Sequence, residues 1–220
     1  MSWYQIVFII LYLGTLFSYF FSETSGKFKR RVVNKTILAS LFLLYFLAAF
    51  GRNYQLASFH AIAIAAFLFA WLGDVFLLFS FMKGGVLFMI SNSFFIAYEI
   101  LLCRTLDIRF SDIWWFVPLL AAVWGSFFIL YRKGWLKIPY RIFVFYIATV
   151  TTHGTLGIAM TAAYPNAKMA LLGLGLALFM VSDYFLALYT FRYKGSKAVL
   201  RLNSGTYFTG MLLAALSFSL

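Results

Sequence analysis

The sequence predicts an all-α, polytopic membrane protein, a bundle of eight transmembrane helices. Three observations predict this fold class: the apolar composition, the length of the apolar segments and the placement of the basic residues. Of the 220 residues, 64% are hydrophobic and only 11% are charged, and the mean hydropathy is +0.93. Because soluble domains are close to half apolar and a quarter charged, this composition indicates a membrane protein.

The apolar segments define the predicted spans. A helix needs about 20 apolar residues, at a rise of about 1.5 Å per residue, to cross a hydrocarbon core about 30 Å thick. The predicted spans are residues 3–21, 33–50, 57–81, 85–103, 113–131, 138–161, 168–191 and 205–220. The connectors are brief, so we expect residues 1–220 to form a single transmembrane helical domain. Residues 1–5 lack the basic start of a signal peptide, so we expect the first span to be retained.

The basic residues predict the orientation of the bundle. Fourteen of the 18 Lys and Arg residues lie in or beside odd-numbered connectors, and four lie in even-numbered ones. The positive-inside rule therefore places the odd connectors in the cytoplasm and both termini on the non-cytoplasmic side. The expected location is the inner membrane of a bacterial cell or the endoplasmic reticulum of a eukaryotic one.

The net charge of +12 does not indicate a nucleic-acid-binding protein, because the basic residues lie in short connectors where they meet anionic headgroups. The single cysteine, Cys103, excludes an intrachain disulfide and a cysteine-cluster metal site. Neither a His-Glu-x-x-His zinc motif nor a Gly-x-Ser-x-Gly elbow is present. We expect no metal and no cofactor, and no region for binding a protein partner is visible.

Two carboxylates lie deep inside predicted spans. Asp74 follows Gly73 and Asp183 follows Ser182, each within an apolar run, although the whole chain has only six acidic residues. An ionisable side chain within a span costs at least a few kcal/mol, so each aspartate is a candidate functional residue.

The two aspartates have similar predicted depths. Their spans, the third and the seventh, both run towards the cytoplasm, with Asp74 seven and Asp183 eight residues before the end of the span. Both therefore lie roughly 10–12 Å below the cytoplasmic boundary. We expect the two carboxylates to face each other across the bundle.

The two spans also resemble each other. Both contain the pattern small-Asp-x-Phe-Leu, and each is followed shortly by Lys-Gly, as Lys83-Gly84 and Lys194-Gly195. The pattern predicts two parallel four-helix repeats, with the site between the halves.

Other polar residues lie within the predicted spans. Lys35, at the start of the second span, is either a partner for a phosphate or carboxylate or a snorkelling interface anchor. Asn92 either orients a substrate or water or forms an interhelical hydrogen bond, and Tyr146 reaches a similar depth. Glu99 is interpreted as an interface residue near the outer end of its span, and His153 as a structural histidine.

A pair of carboxylates in a low-dielectric site can keep one member protonated and the other ionised. Such a pair suits acid-catalysed cleavage of an acetal or enol ether, in which an oxocarbenium ion develops. The same pair could carry protons or bind a cation in a transporter, or could only fix two helices. The residues alone leave these three functions open.

The runs Gly73-Asp74-x-x-Leu77 and Ser182-Asp183-x-x-Leu186-Ala187, with Lys35 at a helix start, resemble the lysoplasmalogenase-like family of integral membrane proteins (YhhN-type). The resemblance covers nearly the whole chain in length, span count and order of motifs. Characterised members hydrolyse the vinyl-ether bond of lysoplasmalogens and release a fatty aldehyde and a glycerophospho-ethanolamine or -choline.

The resemblance implies a lysophospholipid substrate taken from among the membrane lipids, with Asp74 and Asp183 as catalytic groups. It further implies substrate-binding residues around the pair: Lys35, Gly73, Asn92, Tyr146 and Ser182. The chain departs from the family where Asn92-Ser-Phe-Phe95 replaces the His-x-x-Tyr common among members. This departure points to a different rate or a different substrate.

Overall fold

The computed structural model describes residues 3–53, 59–136 and 142–220, which form nine helices and no strand. The helices are α1 (Trp3–Glu23), α2 (Phe28–Asn53), α3 (Ala61–Leu77), α4 (Phe81–Thr105), α5 (Phe110–Ile113), α6 (Phe116–Arg132), α7 (Ile142–Ala163), α8 (Ala167–Phe191) and α9 (Lys197–Ser217). The all-helical prediction is confirmed for this part of the chain.

Polar residues between the apolar segments set several helix boundaries. Ser80, Asn166 and Ser196 precede α4, α8 and α9, and each side chain accepts the backbone N–H three residues further on, at 2.9–3.4 Å. These are N-cap contacts, which satisfy a donor that the first turn of a helix leaves free. Between α1 and α2 the chain turns through Gly26 at φ +72°, a conformation that favours glycine.

The eight longer helices overlap the eight predicted spans one by one, and α5 is an additional short helix of four residues. Of the described helices, five are long and apolar enough to cross a membrane, namely α1, α2, α4, α7 and α8. The chain is therefore an integral membrane helical protein, while the count of eight spans and the orientation stay predictions. The predicted starts of the third and sixth spans, residues 57 and 138, lie outside the described residues.

Six helices pack in a ring in the order α2, α3, α4, α7, α8 and α9, and α9 contacts α2 again. α1 packs on α2 and α9, and α6 packs on α7. The ring thus contains three helices from the first half of the chain, followed by three from the second half, and each set of three is in chain order. This order supports the predicted parallel repeat, which remains a prediction.

The Lys-Gly element of the predicted repeat has two different structures. Gly84 lies in the first turn of α4, where a Cβ would come within 2.7 Å of the Leu77 Cα at the end of α3. Gly195 lies in the turn between α8 and α9 at φ +88°. The first glycine permits close helix packing and the second a left-handed turn, so this part of the pattern has no common structural cause.

A close helix contact joins α8 and α9. A Cβ on Gly175 would lie 2.7 Å from the Gly210 carbonyl oxygen, and a Cβ on Gly210 would lie 2.6 Å from the Gly175 carbonyl oxygen. Glycines at a helix crossing allow the backbones to approach closely, as is common in membrane bundles. This contact sets the spacing of α8, which carries Asp183, from α9.

Replacing Gly210 with alanine should therefore destabilise the protein. Overpacking against a backbone oxygen typically costs about 1–3 kcal/mol, so we expect Gly210→Ala to lower the melting temperature of the detergent-purified protein. Gly14→Ala is the matched control, because Gly14 is exposed on α1 and a Cβ there would contact nothing within 4 Å. Equal melting temperatures for the two variants would contradict a close α8–α9 contact.

Candidate functional site

The two aspartates line one polar cavity. Asp74 on α3 is 1% exposed and Asp183 on α8 is 8% exposed. The cavity, of about 320 Å³, lies among α2, α3, α8 and α9, with Phe88 of α4 on its wall. Its other lining residues are Lys35, Leu77, Phe179, Ser182, Leu186, Asn203, Ser204, Tyr207 and Phe208. The structure thus brings together two carboxylates that are 109 positions apart in the sequence.

Both oxygens of Asp74 have a donor. The Lys35 Nζ lies 3.1 Å from Oδ1, and the Tyr207 hydroxyl donates to Oδ2 at 2.7 Å. A close ammonium and a phenolic hydroxyl are contacts that an ionised carboxylate makes. Asp74 lies three residues before the end of α3 rather than seven before the end of its span, because α3 ends at Leu77.

Lys35 has a different position from the predicted one. α2 begins at Phe28, so Lys35 is two turns inside the helix, and its side chain is 10% exposed. The interpretation as a snorkelling anchor was wrong, because the ammonium group turns into the bundle towards Asp74. The alternative interpretation, a partner for a carboxylate, matches the observed contact.

Asp183 has a different environment from Asp74. The Tyr146 hydroxyl donates to its Oδ2 at 2.8 Å, and no Lys or Arg among the described residues forms an ion pair with it. One carboxylate therefore has a cationic partner, whereas the other has a neutral phenol. Unequal surroundings of this kind are how paired carboxylates acquire separate acid and base roles.

A second, apolar pocket adjoins the polar cavity. It has a volume of about 600 Å³ and is lined by side chains of α3, α4, α6, α7 and α8, and among the described residues Tyr146 and Asp183 are its only polar lining residues. Leu77, Phe88 and Leu186 border both spaces, as does Asp183. Asp183 therefore lies at the boundary between a polar and an apolar space.

The apolar pocket continues into a groove between α6 and α7. The groove has a volume of about 750 Å³ and shares Phe127, Leu136 and Ile147 with the pocket. It extends to Phe128 and Tyr131, which are both at least half exposed on the surface of the bundle. The apolar pocket beside Asp183 thus adjoins an apolar groove at the side of the bundle.

Ser182 and Gly73, predicted to bind substrate, have different positions. Ser182 lines the polar cavity, its hydroxyl donates to the Phe179 carbonyl at 2.6 Å, and its own carbonyl accepts from Asn203 at 2.8 Å. Gly73 does not line the cavity. A Cβ there would lie 3.0 Å from the Phe88 ring, so this glycine makes room for the ring beside Asp74.

Asn92 lines neither of the two spaces. It is fully buried in α4, and its amide has no hydrogen-bond partner among the described residues. Glu99, seven residues further along the same helix, is also fully buried, so its interpretation as an interface residue was wrong. His153 on α7 is buried too, between the rings of Phe95 and Phe179 at 5.9 and 5.2 Å.

Two polar residues near the site were not predicted from the sequence. Tyr207 had no signal, because the chain has 14 tyrosines and this one precedes an ordinary apolar run. Glu23 could have been noticed, because the chain has only six acidic residues and this one lies at the end of an apolar segment. Its carboxylate is buried and accepts from Tyr19 at 3.0 Å and from Ser204, which lines the polar cavity.

Comparison with known proteins adds one match. The model of the YhhN family matches residues 30–218, a range that includes both aspartates, Lys35 and Tyr146. No curated protein and no solved structure matches the chain.

The Lys35–Asp74 pair should be essential for stability as well as for the site. Lys35→Met leaves a buried carboxylate without its cation, which typically costs about 3–5 kcal/mol, so we expect a large fall in melting temperature. The double variant Lys35→Met/Asp74→Asn, which removes both charges, should regain most of that loss. Lys83→Met, at an exposed position on α4, is the control, and a double variant no more stable than Lys35→Met would contradict the pairing.

Proposed function

The chain belongs to the YhhN family, and from this membership and the two-aspartate site we propose that it is a membrane hydrolase of lyso-ether lipids. It cleaves the vinyl-ether bond of lysoplasmalogen or a related lyso-ether lipid and releases a fatty aldehyde and a glycerophospho-headgroup. The observation that carries the proposal is the position of Asp183, on the boundary between a polar cavity and an apolar pocket.

The two adjoining spaces suit the two ends of such a lipid. The alkenyl chain occupies the apolar pocket, which it reaches through the groove between α6 and α7. The glycerol part lies in the polar cavity near Lys35, Asn203 and Tyr207. The ether bond joins these two parts, so it lies at the boundary, beside Asp183.

The contacts of the two aspartates support different roles. Asp183, which has a neutral phenol as its partner, is protonated and donates a proton to the alkenyl carbon farther from the ether oxygen. This step produces an oxocarbenium ion. Asp74, ionised beside Lys35, stabilises the cation and orients a water molecule towards it.

The remaining steps complete the hydrolysis. Water adds to the carbon attached to the ether oxygen and forms a hemiacetal, and the proton it loses restores Asp183. The carbon–oxygen bond of the hemiacetal then breaks to give the aldehyde and a free glycerol hydroxyl. One water is consumed, and no metal or cofactor is required.

Substitution of either aspartate should abolish this reaction. Asp74→Asn and Asp183→Asn keep the side-chain shape, but they remove the stabilising charge and the proton donor. We expect each to reduce turnover by about 10²–10⁴-fold, measured as aldehyde released from lysoplasmalogen by purified protein. Asp107→Asn is the control, because Asp107 is exposed and its φ of +53° suits asparagine.

The saturated lyso-ether analogue distinguishes this hydrolase from the alternative function. It has no double bond to protonate, so it should yield no product. A folded protein that releases no aldehyde, yet moves a lipid across proteoliposomes under a pH gradient, would instead be a proton-coupled transporter that uses the pair as its proton site. Wild-type turnover in either aspartate variant would overturn the paired role.

The apolar pocket should set the preferred chain length. Ala187 lines this pocket, so Ala187→Leu fills part of the space for the alkenyl chain. We expect the KM for long-chain substrates to rise about tenfold or more, with little change for short-chain ones. Ala122→Leu, on the exposed face of α6, should change neither, and equal effects of Ala187→Leu on both chain lengths would contradict this position of the chain.

A further inference from the structure

A third pocket lies at the turn between α1 and α2. It has a volume of about 350 Å³ and is lined by Ser22, Glu23, Gly26, Lys27, Phe28 and Arg31. It is separate from the polar cavity but adjoins it, since the Ser204 hydroxyl lines the cavity and donates to Glu23, which lines the pocket. A hydrogen bond between two side chains thus connects the linings of the two spaces.

The pocket is lined by charged residues of both signs that form no ion pair with each other in the described part of the chain. Among the described residues, no Lys or Arg lies within 4.0 Å of the Glu23 carboxylate. The Glu23 Oε2 and the Arg31 Nε are both buried without a hydrogen-bond partner in the described part of the chain. Leaving such atoms unpaired is costly, which indicates that a ligand supplies the missing partners.

Glu23 is more buried than is usual for a glutamate beside an exposed turn. It is only 8% exposed, and its Oε1 already accepts from Tyr19 and Ser204. The carboxylate is therefore held in one orientation, and its second oxygen, Oε2, is buried without a hydrogen-bond partner in the described part of the chain. Lys27 and Arg31 provide positive charge on the same pocket.

We propose that this pocket binds a zwitterionic phosphoethanolamine group, with the ammonium on Glu23 and the phosphate on Arg31 and Lys27. A ligand that carries both charges matches a pocket in which a carboxylate and a guanidinium face the same space without touching. A primary ammonium donates N–H to the free Oε2, whereas a trimethylammonium has no N–H to donate. Arginine is suited to phosphate by its planar set of donors.

The proposal rests on the proposed function for the source of the ligand, which is the headgroup of the lipid or of the released product. The pocket adjoins the cavity through Ser204 and Glu23, so it receives the headgroup on the way to or from the aspartates. The same chemistry occurs in free phosphoethanolamine. Binding assays distinguish the lipid from the free compound.

The experiment measures binding to the purified full chain in neutral detergent by calorimetry. The probes are phosphoethanolamine, phosphocholine, inorganic phosphate and the saturated lyso-ether with an ethanolamine headgroup. We expect phosphoethanolamine to bind more tightly than phosphocholine or phosphate. Tighter binding of the lyso-ether than of free phosphoethanolamine identifies the lipid headgroup as the ligand, and equal affinities identify the free group as sufficient.

Two variants test which charged group of the ligand each pocket residue binds. Glu23→Gln should weaken phosphoethanolamine binding about tenfold, the loss of one charged hydrogen bond, and leave phosphate binding unchanged. Arg31→Gln should weaken the binding of both. Lys29→Gln, exposed at the start of the same helix and not part of the pocket, should change neither.

The proposal is overturned if Glu23→Gln and Arg31→Gln bind all four probes as the wild type does, or if phosphate and phosphoethanolamine bind equally well. Glu23→Asp is the control that keeps the charge. If Glu23→Gln loses phosphoethanolamine binding because the charge is gone, Glu23→Asp should restore part of that binding. If the loss comes from misfolding, it should not. Asp183→Asn should lose turnover and still bind phosphoethanolamine. Failure of the hydrolase and failure of this pocket therefore give different results.

Discussion

The ion pair between Lys35 and Asp74 is the contact on which the polar interior of this bundle depends. An isolated ammonium or carboxylate among membrane helices costs several kcal/mol, and only a close partner offsets that cost. The 3.1 Å contact connects α2 to α3, and the Tyr207 hydroxyl adds α9 at 2.7 Å. The polar cavity is the space that remains when these three helices meet α8 around the two charges.

The second aspartate has a corresponding position but a different partner. Lys35 on α2 contacts Asp74 on α3, and Tyr146 on α7 contacts Asp183 on α8. Each donor lies on the helix before its aspartate, and both helix pairs are neighbours in the ring. One carboxylate thus has a cationic partner and the other a phenol, an asymmetry that suits the proposed acid and base roles.

The sequence was most informative where a polar residue stands out against an apolar background. Asp74 and Asp183 were recognised as candidates because carboxylates are rare in this chain, their similar predicted depths suggested a shared site, and the structure brings them to one cavity. The similar distances of the two aspartates from their predicted span ends were an imprecise guide to depth, because α3 already ends at Leu77. Which hydroxyl reaches Asp74 could not be predicted, because Tyr207 is one tyrosine among 14.

Predicted roles based on depth alone were less reliable than those based on charge. Asn92 has a depth similar to that of the aspartates, yet its side chain lines neither space, because depth does not specify which face of α4 a residue occupies. Glu99 was expected at an interface but is fully buried. The facing direction of a side chain depends on helix rotation, which is set by contacts with neighbouring helices.

The apolar groove between α6 and α7 has a consequence for how the proposed lipid substrate would reach the protein. The groove reaches the side of the bundle rather than its end, so such a lipid would arrive by lateral diffusion within one leaflet. The relevant concentration is then the mole fraction of the lipid in the membrane, not its amount per volume of solution. Adding inert phospholipid at a constant amount of substrate would lower the rate of the proposed hydrolysis by surface dilution, although the bulk concentrations in the aqueous phase stayed the same.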